Sequence, residues 1–335
     1  MQFIKQSAAR LGLAATLAMG LAFGLAACGG GSGEDEPEFA ITAAVQGGSA
    51  PDTTLAAGQS ATIDVPSGAT LVFASAGETR WTPTPSSATF TVNNFSYTSK
   101  SMTVTSHEGG SLTVVFTDRD DSTKTATLSV NVAPEEFSQV SRVDGEVEAW
   151  TITYQSSGGT SENKSLRRTV LLGADGYGLE FGDPETGTYA QRNLYDTQDR
   201  YLGYTLQAIG LSCLYDAPVA QVSYPLHVGK TWSGSATRHC LPERDVLAQE
   251  YVRTVEAYER ITVPQGTHDV LRIKANLRYA VSFPTVPDAE PFSYTLESTC
   301  WWAVDLGRSV KCTYERRFDD GTTTLTTETL TGLTR

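Results

Sequence analysis

Few side chains in this sequence are spaced for chemistry. The four histidines, His107, His227, His239 and His268, show neither H-x-H nor H-x-x-x-H spacing, the patterns that would aim two imidazoles at one metal from a strand or a helix. Gly229-Lys230-Thr231 matches the end of a phosphate-binding loop, but position 224, where that loop needs glycine, is Tyr224. No G-x-S-x-G nucleophile elbow occurs. Asp118, Asp120 and Asp121 have the charge for calcium, yet no glycine and distal glutamate complete a loop around them, so they read as a solvated turn. The 38 acidic residues are too many to single out an acid–base pair. The expectation is a protein without catalytic residues, metal or cofactor, with a hydrolase built on scattered carboxylates as the least favoured reading. Five cysteines remain: Cys28, Cys213, Cys240, Cys300 and Cys312.

Cys28 ends an N-terminal segment with its own logic. Lys5 and Arg10 precede an uncharged run of Leu, Ala, Gly, Met, Phe and Thr over residues 11–27. The run is shorter than the roughly 20 residues needed to span a bilayer and has no basic flank after it. Its end, Leu25-Ala26-Ala27-Cys28, resembles the lipobox of bacterial lipoproteins. That resemblance implies a signal peptide over 1–27 and a diacylglyceryl thioether on Cys28. It also implies an amide-linked acyl chain such as palmitate, and a cell-envelope location. Gly29 follows the cysteine where aspartate would favour the inner membrane, which points to the outer membrane of a Gram-negative bacterium. Two or more acyl chains make such an anchor stable.

With Cys28 acylated, four cysteines are left, an even number that predicts two disulfides in an oxidising compartment, with three connectivities open. The chain has 335 residues and a net charge of −13. Removal of Lys5 and Arg10 makes the mature chain more acidic still. Such a balance argues against nucleic acid and anionic lipid surfaces as partners. The membrane is contacted through the lipid alone.

Residues 28–38, CGGGSGEDEPE, read as a flexible acidic linker. Residues 39–133 contain short alternating runs at 61–65, 70–74, 89–92, 102–105, 111–117 and 125–132, separated by Gly, Pro and Asp signals. This pattern predicts a β-sandwich. It resembles the immunoglobulin-like modules of bacterial surface proteins, without a cysteine pair, and such modules act as spacers or interaction domains. Residues 134–335 read as a larger antiparallel β domain of long curled strands, a half-barrel or sandwich. The whole chain is therefore expected to be all-β.

Two hairpins fix much of the large domain. Odd positions over 271–283 are Leu, Ile, Ala, Leu, Tyr, Val and Phe, and even ones are mostly polar, the pattern of a half-buried strand. Pro264-Gln265-Gly266 before it predicts a three-residue loop with Glu256 opposite Lys274. This register puts Arg253 and Glu259 on the apolar side, as a structural ion pair, a register error, or a polar anchor inside a ligand cavity. A loop at Asp305-Leu306-Gly307 places Cys300 opposite Cys312 and Trp302 opposite Val310, on a face of core character. Direct opposition predicts a Cys300–Cys312 disulfide and, by elimination, Cys213–Cys240. Trp301 falls on the polar face opposite Lys311, as a cation–π pair or as an exposed aromatic for sugar or peptide.

Three stretches, Tyr224-Pro225-Leu226-His227-Val228-Gly229-Lys230-Thr231-Trp232, Glu259-Arg260-Ile261-Thr262-Val263-Pro264-Gln265-Gly266-Thr267, and Trp302-Ala303-Val304-Asp305-Leu306-Gly307-Arg308-Ser309-Val310-Lys311, resemble uncharacterised secreted β-rich bacterial domains. Those domains have no assigned activity, so the resemblance implies an architecture of long antiparallel strands and nothing about chemistry. Gln265 and His268 depart from it near a hairpin tip. The function expected is a non-catalytic envelope binder with a protein or glycan partner. The alternative is a carrier or sensor of an apolar ligand on the concave face, with Arg253, Glu259 and Trp302 as candidate ligand-facing residues.

Overall fold

The structure is a computed structural model. It describes residues 39–47, 53–75, 79–85, 91–96, 101–242, 245–286 and 288–335. Cys28, the segment 1–27 and the linker 28–38 lie outside the described residues. The described residues are built from strands, with two short 3-10 turns. The all-β expectation is met.

Nine strands come first: β1 (Ala40–Val45), β2 (Thr53–Ala56), β3 (Ser60–Val65), β4 (Thr70–Ser75), β5 (Thr79–Pro85), β6 (Thr91–Ser96), β7 (Ser101–Thr105), β8 (Gly110–Asp118) and β9 (Thr125–Val132). One sheet runs β2-β1-β4-β7-β6 and the other β3-β9-β8-β5. β3 pairs with β9 in parallel and the other pairings are antiparallel. Alternate residues of β8 and β9 point inward, and Leu112, Val114, Leu128 and Val130 are fully buried. They meet Ile41, Leu71, Met102 and Val104 of the opposite sheet in one core. Phe73 and Phe116 touch edge to face across it, 5.2 Å between centroids.

Twelve strands follow: β10 (Val147–Ser156), β11 (Gly159–Leu171), β12 (Tyr177–Gly182), β13 (Tyr189–Tyr195), β14 (Arg200–Leu206), β15 (Leu211–Ala220), β16 (Thr231–Leu241), β17 (Val246–Val263), β18 (Gly266–Ser282), β19 (Phe292–Ala303), β20 (Arg308–Phe318) and β21 (Thr323–Thr334). Each pairs antiparallel with the next, and β10 also pairs with β21. The sheet therefore closes into a barrel, not the half-barrel or sandwich expected from the sequence. Closure joins strands more than 160 residues apart in the chain, and no local pattern encodes it.

The hairpin registers correct two details. β17 and β18 turn through two residues, Pro264 and Gln265, and a bulge at Glu256 shifts the ladder, so Thr254 and not Glu256 faces Lys274. A one-residue shift reverses side-chain facing, so Arg253 points in while Glu259 points out. Between β19 and β20 the turn has four residues and a bulge at Val310, so Trp302 pairs with Ser309 rather than Val310. Cys300 and Cys312 still pair directly, 4.1 Å between Cα atoms, and are disulfide-bonded. Cys213 and Cys240 face each other across β15 and β16 at 3.9 Å and form the second disulfide.

Outward positions of β17 to β20 carry Glu250, Glu256, Lys274, Arg278, Glu297, Lys311, Glu315 and Arg317. Charge in mid-strand on this scale suits a wall facing water and not lipid. Trp301 lies here, with Lys311 4.9 Å over its ring and its indole N–H donated to Glu259 at 2.5 Å.

Gly203 marks where two strands come too close for a side chain. Its φ is +134°, and a Cβ there would sit 2.1 Å from the Cys213 carbonyl oxygen. Gly203→Ala is expected to lower stability by about 2–3 kcal/mol, whereas Gly158→Ala in the exposed β10–β11 turn changes it little. Urea unfolding followed by tryptophan fluorescence compares the two.

Candidate functional site

The inward faces of the barrel enclose a cavity of about 370 Å³. Its wall follows from the strand registers. One ladder row holds Arg253, Ala275, Ser298 and Tyr314. The row on the turn side holds Val255, Ile273, Cys300, Cys312 and Glu328. The row on the other side holds Tyr251, Leu277 and Leu296, and beyond it stand Gln249, Tyr279, Tyr294 and Phe318. Tyr279 and Tyr294 stack at 4.6 Å. Tyr215 donates to Gln249 at 3.0 Å, and burial raises its phenol to a pKa of about 12.

The turn side is filled. The connection 221–230 packs Val222 and Leu226 against Val255, Leu271 and Ile273. Trp150, Val263, Val270, Ala303, Leu306, Val310 and Leu330 form a second apolar cluster nearby. Phe137, in the segment leading to β10, bridges to Leu226 through its backbone.

Four arginines reach the cavity, and three have acidic partners. Arg308 contacts both Glu146 and Glu148, the latter at 2.5 Å. Trp150 donates its indole N–H to Glu148 at 2.8 Å, and Arg335 reaches Glu146 at 2.7 Å. Arg167 pairs with Glu328 at 2.9 Å and lies 4.2 Å over the Trp150 ring. Tyr314 also donates to Glu328, at 3.3 Å, and burial, aided by that carboxylate, holds its phenol well above the ordinary range. Arg142 stands 3.9 Å from Asp199 and 5.2 Å over the Tyr177 ring. Asp199 accepts from Tyr224 at 3.0 Å.

Arg253 is the exception. Among the described residues no carboxylate lies within ion-pair distance of it, and its Nε, like those of Arg142 and Arg167, has no hydrogen-bond partner. Arg253 lines the cavity. Burial pushes its guanidinium below the usual arginine range, opposed by Tyr279, Tyr314, Tyr251 and Tyr195 around it. The wall therefore holds four cations against Glu148, Asp199 and Glu328, with one positive charge unmatched.

Of the residues singled out from the sequence, Arg253 and Trp302 line this cavity and Glu259 does not. The Glu256 bulge turns Glu259 to the outer wall, where it holds Trp301 and Arg272, the latter at 3.3 Å. Sequence reasoning missed Arg142, Glu148, Arg167, Asp199 and Glu328, whereas Tyr314 belongs to the even face of 294–318 that the sequence marks as core-like. The adjacent pair Arg167-Arg168 was the available signal, because in a strand one of two neighbours must face inward. Among the described residues no cluster of three His, Cys, Asp or Glu is placed to hold a metal ion.

No protein-family model matches the chain, and no curated protein matches it in sequence. Three solved structures resemble it. A candidate lipoprotein from Parabacteroides distasonis is 13% identical with a TM-score of 0.32, covering 60% of this chain and 100% of its own. A candidate exported protein with a YmcC-like fold from Bacteroides fragilis is 12% identical with a TM-score of 0.35, covering 59% and 100%. The hypothetical lipoprotein YmcC from Escherichia coli is 9% identical with a TM-score of 0.28, covering 53% and 82%.

The charge balance has a measurable consequence. Glu328→Gln strands Arg167 and is expected to cost about 3 kcal/mol, whereas Arg253→Met removes an unpaired, desolvated charge and is neutral or stabilising. Urea midpoints of the two variants test this. A larger loss for Arg253→Met than for Glu328→Gln would contradict the assignment of pairs.

Proposed function

We propose that this chain is a lipid-anchored, non-catalytic binding protein of the cell envelope, and that the barrel cavity is its ligand site. The observation that carries the reading is the cavity itself. It is about 370 Å³, within the size range of small-molecule sites, lined by convergent polar groups and filled on the turn side. The two disulfides in the barrel wall suit an oxidising compartment. The Leu25-Ala26-Ala27-Cys28 stretch supports an acylated Cys28, and Gly29 supports the outer membrane. The nine-stranded body fits an immunoglobulin-like spacer between the anchor and the barrel.

A carrier role for a ligand with an apolar body draws on the same wall, since Ile273, Leu277, Leu296 and Trp302 face the cavity. A protein or glycan partner on the outer wall has less support. Trp301, the aromatic that would serve it, is held by Lys311 and Glu259.

Two experiments test the proposal. Metabolic labelling with palmitate should mark the full-length chain and fail with Cys28→Ser, which should also release the protein from membranes. Labelling of the Cys28→Ser chain would refute the anchor. For the cavity, the neutral dye N-phenyl-1-naphthylamine should bind the unlipidated full chain, and Ser298→Trp, which fills the middle row, should abolish binding while leaving the circular dichroism unchanged. Dye binding that ignores Ser298→Trp in a folded protein would refute the site.

A further inference from the structure

The cavity wall has a feature that a general binding role does not require. Its charges are matched pair by pair, Arg308 with Glu148, Arg167 with Glu328 and Arg142 with Asp199, and Arg253 is left over. A buried guanidinium without a counter-charge costs free energy in the empty protein. A ligand that brings the missing negative charge recovers it through charge-assisted hydrogen bonds, for which the guanidinium fork is well shaped.

Resting on the cavity reading above, we propose that the barrel lumen selects an organic anion with one negative charge on a compact apolar or aromatic body. The residues around Arg253 define the two ends of such a ligand. Ser298 shares its ladder row and lines the same cavity with its hydroxyl group, whereas the Tyr314 hydroxyl of that row is already given to Glu328. Leu277 and Leu296 stand in the next row, with the stacked Tyr279 and Tyr294 beyond them, so the apolar body has a greasy and aromatic wall. Ile273 and Trp302 extend that wall on the turn side.

Charge and size narrow the class further. One free guanidinium matches a carboxylate, a sulfonate or a phosphodiester, whereas a phosphate dianion would leave a charge uncompensated in the lumen. A cation would face the unmatched Arg253. A volume of about 370 Å³ lies within the range of small-molecule sites. It takes a ring system or short chain. The headgroup could come from a free metabolite or from an envelope amphiphile, and the shared chemistry is the monoanionic head.

The test compares two dyes with the same body. 8-Anilinonaphthalene-1-sulfonate differs from N-phenyl-1-naphthylamine by one sulfonate. Fluorescence titrations use the full chain carrying Cys28→Ser, so that no acyl chain recruits dye. The anionic dye is expected to bind at least tenfold more tightly than the neutral one. Arg253→Met should erase that preference while keeping the neutral dye bound, and Arg253→Lys should retain part of it. Arg278→Met on the outer wall should leave it unchanged. If the anionic preference survives Arg253→Met, the charge selection proposed here is wrong, while the lumen stands as a site provided Ser298→Trp still expels the neutral dye. If neither dye binds, or binding ignores Ser298→Trp, both this inference and the cavity reading fail.

Discussion

The pairing of β10 with β21 is the contact on which the barrel depends. Without it, the twelve-stranded sheet would expose two long edges, with rows of unpaired amide and carbonyl groups. With it, every strand of the barrel has two neighbours, and one face of the sheet is withdrawn from bulk water. The residues that make the closing contact also build the interior. Trp150 pairs with Leu330, and Ile152 with Glu328. Glu328 also pairs with Cys312 of β20, on the row that faces inward, and from there its carboxylate holds Arg167.

Closure also explains the chemistry of the interior. Twelve strands enclose more space than apolar side chains alone fill here, and the remainder is occupied by arginines, tyrosines and acids. Such groups must find partners once water is restricted. Most do, in pairs reinforced by indole and phenol donors, as Glu148 receives Trp150 and Glu328 receives Tyr314. Two apolar clusters lie at the turn side, where the 221–230 connection packs over the inward residues, and a third gathers around Tyr251, Ala275 and Leu277. The result is a polar chamber on an apolar floor, and Arg253 is the charge in it without a carboxylate partner.

Much of the strand content was legible, because alternation is a local signal. The even face of β19 and β20 and the odd face of β18 stood out in the sequence. The Cys300–Cys312 contact followed from hairpin register alone and tolerated a miscounted loop, because the Val310 bulge absorbs the difference. The inward facing of Arg253 was readable for the same reason. Glu259 was misplaced because the Glu256 bulge lies between them, and bulges answer to the coiling of the closed sheet rather than to residue type. Strands β1, β2 and β5 escaped notice, being short or rich in Thr and Pro. Arg142 and Asp199 lie outside strands, and neither periodicity nor spacing reports on residues that reach a chamber from its connections.

The central claim is that the barrel interior is a ligand site with an anion-selective point at Arg253. Its most direct test is to locate a bound probe by anomalous X-ray scattering, using crystals of the unlipidated chain grown with 4-bromophenylacetate. The account predicts a bromine peak inside the barrel beside Leu277 and Leu296, with the carboxylate on Arg253. A probe found only on the charged outer wall, or lodged in the lumen with its carboxylate turned away from Arg253, would contradict it.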